Sequence, residues 1–225
     1  MKTLSRVSMI VGLLAAVFLM AWGCTRDESP VVPADEPAHD SSQVGLYHNE
    51  ILTRYFESRA KEWKYNEEDF RNDFTEAASR VLDVDPETIK PYLDMTIDDS
   101  GKLVIWDRDY NGFTPAERFW VAGFYTYIRE ARDPADLKRL AFDYESTAGI
   151  PSTENLRNFF STVIHSSDYW ANHCDCAKKP YDAMVIGMDA WGAIKGGLIG
   201  GWIGAIIGSA VQSIAFAVIE PNGDG

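Results

Sequence analysis

Three groups of residues in this chain have types and spacings that could do chemistry. In "DRDYNGFTPAER" (107–118), Asp107, Asp109, Asn111 and Gly112 stand at positions 1, 3, 5 and 6 of a twelve-residue calcium loop. Hard oxygen ligands and a sharp glycine turn at that spacing suit Ca2+. The bidentate acid belongs at position 12, where Arg118 stands, and Glu117 comes one residue early. An acidic turn feeding a capped helix therefore competes with a calcium site. In "HCDC" (173–176), Cys174 and Cys176 could form a local disulfide or remain thiols. With His173 they supply three soft ligands, one short of the four of a structural zinc site. The third group is the pair of isolated histidines, His48 in "YHNE" and His165 in "IHSSD". Both fit packed positions on helices better than catalytic ones. The chain has no serine nucleophile elbow, no paired zinc histidines and no phosphate-cradling glycine loop ending in Lys-Ser/Thr. No catalytic residue and no cofactor other than Ca2+ is expected.

The N-terminus carries a different chemistry. Lys2 and Arg6 precede an apolar run from Val7 to Trp22, and "AWGC" (21–24) follows. That is the layout of a secretory signal. With Gly23 directly before Cys24, the stretch resembles the lipobox of bacterial lipoproteins, although Ala21 stands where Leu is usual and Trp22 is bulky for its place. The resemblance implies cleavage after residue 23 and a lipid on Cys24. Acyl chains would then hold the protein to a membrane. Thr25 follows in place of the Asp that retains enteric lipoproteins at the inner membrane, so the outer membrane is the implied address. An exported location also favours oxidation of Cys174 and Cys176.

Residues 25–42 are polar and acidic, with Pro30, Pro33 and Pro37. Such a stretch cannot bury enough apolar surface to offset its ordering entropy. Residues 24–42 therefore read as a tether. The formal charge is −13, and removing residues 1–23 takes away Lys2 and Arg6 and no acid, giving −15. This balance excludes nucleic acid as an expected partner and gives no electrostatic attraction to anionic lipid. About 180 residues remain from Gln43 onward, enough for one ordinary core.

The elements that would position these residues are helical. Leu46, Ile51, Leu52, Tyr55, Phe56 and Trp63 recur at steps of three and four, as do Phe70, Phe74, Ala77, Ala78 and Val81. Asn66 and the acids after it make a helix start, Asp85 caps a short helix beginning at Pro86, and Thr114-Pro115-Ala116-Glu117 is a capping box. Asp133-Pro134 opens a further helix, and Ser152 or Thr153 caps the one over 154–170. The exception is 95–105, where two β-prone runs flank Asp98-Asp99-Ser100-Gly101 and predict a small β-hairpin. The expected fold is an all-α helical bundle over 43–180 with that hairpin inserted, a glycine-zipper helix over 181–219 and a tail at 220–225.

The zipper is the chain's most distinctive feature. Gly192, Gly196, Gly200, Gly204 and Gly208 recur every fourth residue, and Gly196 to Ile219 is 24 residues without a charge. A helix of that length reaches about 36 Å, against about 30 Å of bilayer hydrocarbon. The six glycines from 196 to 208 cost a helix about 5–6 kcal/mol unless something packs on them. A close partner is therefore expected along the small-residue row. "GLYHNEIL" (45–52), "SSDYW" (166–170) and "DAWGAIKGGLIGG" (189–201) resemble, in order, segments of bacterial glycine-zipper proteins, and the stretch is similar to zippers of membrane-inserting peptides. The resemblance implies helix association or membrane insertion, with a homo-oligomer as one form of it. The alternative is a water-soluble helical binding domain whose zipper is buried in its own core.

Overall fold

A computed structural model describes residues 43–58, 65–107, 110–131, 133–146, 153–173 and 181–219. The signal segment, Cys24, the tether, Trp63, Asp109, Cys174, Cys176 and the tail lie outside the described residues. Among the described residues the chain is all-α, with seven α-helices and no strand. They are α1 (Val44–Glu57), α2 (Glu67–Leu82), α3 (Lys90–Thr96), α4 (Pro115–Glu130), α5 (Pro134–Glu145), α6 (Glu154–His173) and α7 (Tyr181–Ile219).

The helices begin where side chains take up the free N–H groups of the first turn. Asn66 Oδ1 accepts from Asp69 N at 3.1 Å. Asp85 Oδ1 accepts from Glu87 N at 2.8 Å and opens a short 3-10 turn, Pro86–Thr88. Thr114 and Glu117 form the reciprocal capping box, and Asp133 accepts from Asp136 N at 2.8 Å. α2 ends at Asp83, whose φ of 53° turns the chain left-handed.

The outer helices bury one stripe each. α1 buries Val44, Gly45, His48, Ile51, Leu52 and Tyr55, and α2 buries Phe70, Phe74, Ala77 and Ala78. The α2 stripe packs chiefly on α1, and α1 packs on α7, which also packs against α3, α4 and, most extensively, α6. A helix apolar all round needs such enclosure or a lipid environment. The most apolar stretch of α7 has a mean hydropathy of 1.9, and 72% of it is buried.

Two expectations are modified. The β-hairpin reduces to a single antiparallel bridge, Ile97 to Leu103. Its turn forms, because Asp98 Oδ1 gathers Ser100 N at 2.8 Å and Lys102 N at 3.0 Å. The flanks do not extend, since Met95 and Thr96 stay in α3 and Trp106 N donates instead to Gln212 Oε1 at 2.8 Å. The second change concerns α7, which is broken inside its zipper. Gly200 (φ −141°, ψ 28°) and Gly201 (φ 60°, ψ −143°) leave the helical region. They reverse the chain, and the arms 181–199 and 202–219 lie side by side as a helical hairpin.

Candidate functional site

The zipper glycines face one another across the two arms. A methyl built on Gly196 would lie 2.7 Å from the carbonyl carbon of Gly204 and closer still to its oxygen. One on Gly192 would lie 2.7 Å from the carbonyl carbon of Gly208 and 2.9 Å from Ser209 Cα. From the other arm, Gly204 meets the Gly196 carbonyl and Gly208 meets Gly196 Cα at 3.0 Å. Backbone therefore packs on backbone, the close approach that small residues every four positions permit. Gly200, at the tip, is covered by the Tyr92 hydroxyl of α3. Gly197 and Ala205 lie beside this seam in ordinary contact, with Ala205 Cβ 3.6 Å from a methyl built on Gly197.

Aromatic side chains close the hairpin from outside. Phe113 stacks on Trp191 with ring centres 5.6 Å apart and planes 8° from parallel. Tyr110 meets the same indole edge-on at 5.2 Å, and Tyr47 of α1 meets Trp202 edge-on at 5.2 Å.

Beneath the seam sits a polar cluster that pattern alone did not reveal. Asp189, on the first arm, is fully buried, and so are His48 of α1 and Ser166 of α6. Asp189 Oδ2 accepts from the Ser166 hydroxyl and from Trp170 Nε1 at 3.0 Å, and His48 Nε2 lies 3.5 Å away. Ser213 of the second arm stands beside the carboxyl and favours its ionised form without closing a well-formed hydrogen bond. Burial nevertheless dominates and pushes the Asp189 carboxyl up to about 7, against the hydrogen bonds of Ser166 and Trp170 and the nearby Ser213 hydroxyl. Burial likewise pushes His48 down to about 4, opposed by its contact with Asn49. His165, half-buried on α6, is also lowered, chiefly by burial.

Serine, acid and imidazole are together here, but their order is not that of a hydrolase. The acid is in the middle and the Ser166 hydroxyl donates to it, so no imidazole stands ready to take the serine proton. Ser166 is also fully buried, away from any substrate. A lone acid inside the apolar run "VIGMDAWGA" (185–193) was the available sequence signal for this cluster.

The residues of the calcium motif are separated by other commitments. Asp107 and Asn111 are exposed, and Asp109 is outside the described residues. Glu117, the acid nearest position 12, is 2% exposed and already saturated. Its Oε2 accepts from Thr114 N at 2.7 Å, and its Oε1 accepts from Thr153 Oγ1 at 2.8 Å and Asn155 Nδ2 at 3.1 Å. Burial alone would raise its carboxyl, but those donors outweigh it and hold the group below its ordinary value. Glu117 thus ties the start of α4 to the start of α6. Among the described residues no three acid, histidine or cysteine side chains gather around one point. The surface does carry an open groove of about 210 Å³ between α1 and α2, lined by Arg54, Glu57, Ser58, Asp73, Glu76 and Arg80. Both signs of charge meet there, and Arg54 and Arg80 pair with Glu50 and Glu76 of their own helices.

Compared with family models, with curated proteins and with solved structures, the chain matches none.

Proposed function

We propose that this chain is a non-enzymatic helical binding domain of the cell envelope, held by a lipid on Cys24 and an acidic tether, with the glycine zipper as its internal fastener. One observation carries this reading: the glycine faces of the two arms of α7 are occupied by each other's backbone. A face closed in this way is not offered to a second copy or to another membrane helix. The signal, the cysteine at 24 and the proline-bearing acidic stretch support the envelope address through their resemblance to lipoproteins. Recognition then falls to the outer surfaces of α1 to α6.

Membrane insertion of the zipper is the second reading, favoured by the composition of α7. Its second arm, 202–219, has 18 uncharged residues, about 27 Å of helix, close to the hydrocarbon thickness. One experiment separates the two. Residues 43–225, without signal or lipid cysteine, are expected to run as a monomer without detergent and to stay in buffer when liposomes are added. Co-sedimentation with liposomes, with tryptophan emission shifted to the blue, would overturn the first reading in favour of the second. In cells, Cys24→Ser is expected to move the protein out of the membrane fraction, and unchanged membrane retention would remove the lipid from the proposal.

A further inference from the structure

The hydrogen bonds around His48 fix which of its nitrogens carries hydrogen. Asn49 Nδ2 donates to the carbonyl of His165 at 2.8 Å, and a carbonyl can only accept, so the orientation of the Asn49 amide is set. Its oxygen then faces His48 Nδ1 at 2.9 Å, and an amide oxygen also only accepts. Nδ1 is therefore protonated. In a neutral imidazole the other nitrogen, Nε2, is left with a lone pair, and it points at Asp189 Oδ2 across 3.5 Å. A lone pair against a carboxylate oxygen, with both side chains fully buried, is repulsive and has no water to relieve it. A single proton between the two atoms removes the conflict, whichever atom holds it.

We infer that Asp189 and His48 form a buried site for one proton, and that this proton closes α1 and α6 onto the glycine hairpin. The site joins three elements. α1 contributes His48 and Asn49, α6 contributes Ser166 and Trp170, and α7 contributes Asp189 from one arm and Ser213 from the other. The remaining ionisable groups near it stand further out. They are His165, Asp168 and Tyr169 on α6, Lys138 on α5 and Glu57 on α1. α4 presents Tyr125, whose hydroxyl donates to the Gly187 carbonyl at 2.6 Å.

The proton count follows from the directions of the two shifts. Asp189 moves from an ordinary 3.8 to about 7, so what it contributes to stability is full below pH 3.8 and is lost as pH rises through 7. His48 moves from 6.5 to about 4, so its contribution is full above pH 6.5 and is lost as pH falls through 4. Between about pH 4 and 6.5 the unfolded chain carries one proton on the imidazole and the folded chain carries one on the pair. Folding moves a proton without taking one up, and the two opposite pH dependences cancel. Acid below this range leaves a buried imidazolium beside a neutral acid, and alkali above it leaves a lone pair against a carboxylate. Either state loosens the hold on the hairpin.

Single substitutions expose the hidden dependences. Folding equilibria of the full chain would be measured from pH 4 to 7 for the unsubstituted protein, Asp189→Asn and His48→Gln. Relative to the unsubstituted protein, the folding constant of Asp189→Asn is expected to rise about ten-fold per pH unit as pH increases. That of His48→Gln is expected to fall about ten-fold per unit up to pH 6.5. Ratios that stay flat for both variants would overturn the inference. Because both substitutions touch the core, the ring nitrogens of His48 would also be read by NMR in the unsubstituted chain. No titration of His48 between pH 5 and 6.5 is expected, with Nδ1 protonated throughout, and titration within that interval would overturn the one-proton site whether or not the variants fold.

Discussion

Replacing Gly196 and Gly197 by alanine, one at a time, should have opposite effects although the two residues are neighbours on one helix. At Gly196 the new methyl lies 2.7 Å from the Gly204 carbonyl carbon and 3.1 Å from Gly208 Cα, where ordinary contact begins at 3.4 Å. Its obstacle is backbone, so the arms must part by roughly 1 Å. A gap of that size forfeits a quarter to a half of each dispersion contact along the seam. Overpacking of this kind costs about 1–3 kcal/mol, and a backbone obstacle places it near the top of that range. Replacing glycine inside a helix returns about 1 kcal/mol, leaving a net loss of about 2 kcal/mol. At Gly197 the methyl finds Asn158 Nδ2 at 3.4 Å and Ala205 Cβ at 3.6 Å, both ordinary contacts. Only the propensity gain remains, so Gly197→Ala should be neutral or more stable by up to about 1 kcal/mol. Urea unfolding followed by tryptophan fluorescence and by circular dichroism measures the difference. Gly196→Ala should unfold at lower urea with an unchanged slope, and Gly197→Ala at the same or higher urea. Equal losses in the two variants, or a gain at Gly196, would refute the backbone-on-backbone seam.

Gly201→Ala should cost about 1–3 kcal/mol in the same assay, because φ 60° with ψ −143° is a region that essentially only glycine occupies. Thr114→Ala should lose about 1 kcal/mol with its cap, and amide exchange in the first turn of α4 should quicken. Glu117 has a carboxyl held below its ordinary 4.5, so its contribution is full above pH 4.5 and is lost as pH falls through the lowered value. Glu117→Gln should therefore be less stable at pH 7 and should lose part of its acid sensitivity, read as a shallower fall in melting temperature below pH 4.5.

Local signals carried most of the fold. Asn66, Asp85, Thr114 with Glu117, and Asp133 start helices where their side chains can reach the free N–H groups of the next turn, and that reach is a property of a few adjacent residues. The apolar stripe of α2 and the Ile51, Leu52 and Tyr55 part of that of α1 follow from spacing in the same way, whereas Leu46, expected on the same stripe, is exposed and Val44 and His48 are buried in its stead. The reversal in α7 had no such local mark. Gly200 and Gly201 continue a four-residue rhythm that suits a straight helix equally well, and the seam glycines they bring together lie up to sixteen residues apart in the chain. The need for a close partner was legible from the glycine cost, whereas the partner's identity as the same helix was not. Asp189 was hidden for a related reason: the apolar run around it marks a buried acid, but its partners come from α1 and α6, far away in the chain. The β-prone run after Gly101 misled because Gln212, more than a hundred residues on, claims the N–H of Trp106 that a strand would have used.

The two-residue reversal has a consequence for alignment. A small-residue row with a four-residue period is degenerate: sliding one arm past the other by a single helical turn, about 5.4 Å, sets glycine against glycine again. The seam itself therefore cannot choose among offsets. Moving the bend to Leu198 or Trp202 would force a bulky side chain into a left-handed backbone, and the adjacent pair Gly200-Gly201 is what the observed offset uses. The zipper thus behaves as a toothed rack whose teeth are interchangeable and whose single stop is the bend. Lengthening that bend would leave the teeth engaged and free the rack to step by whole turns.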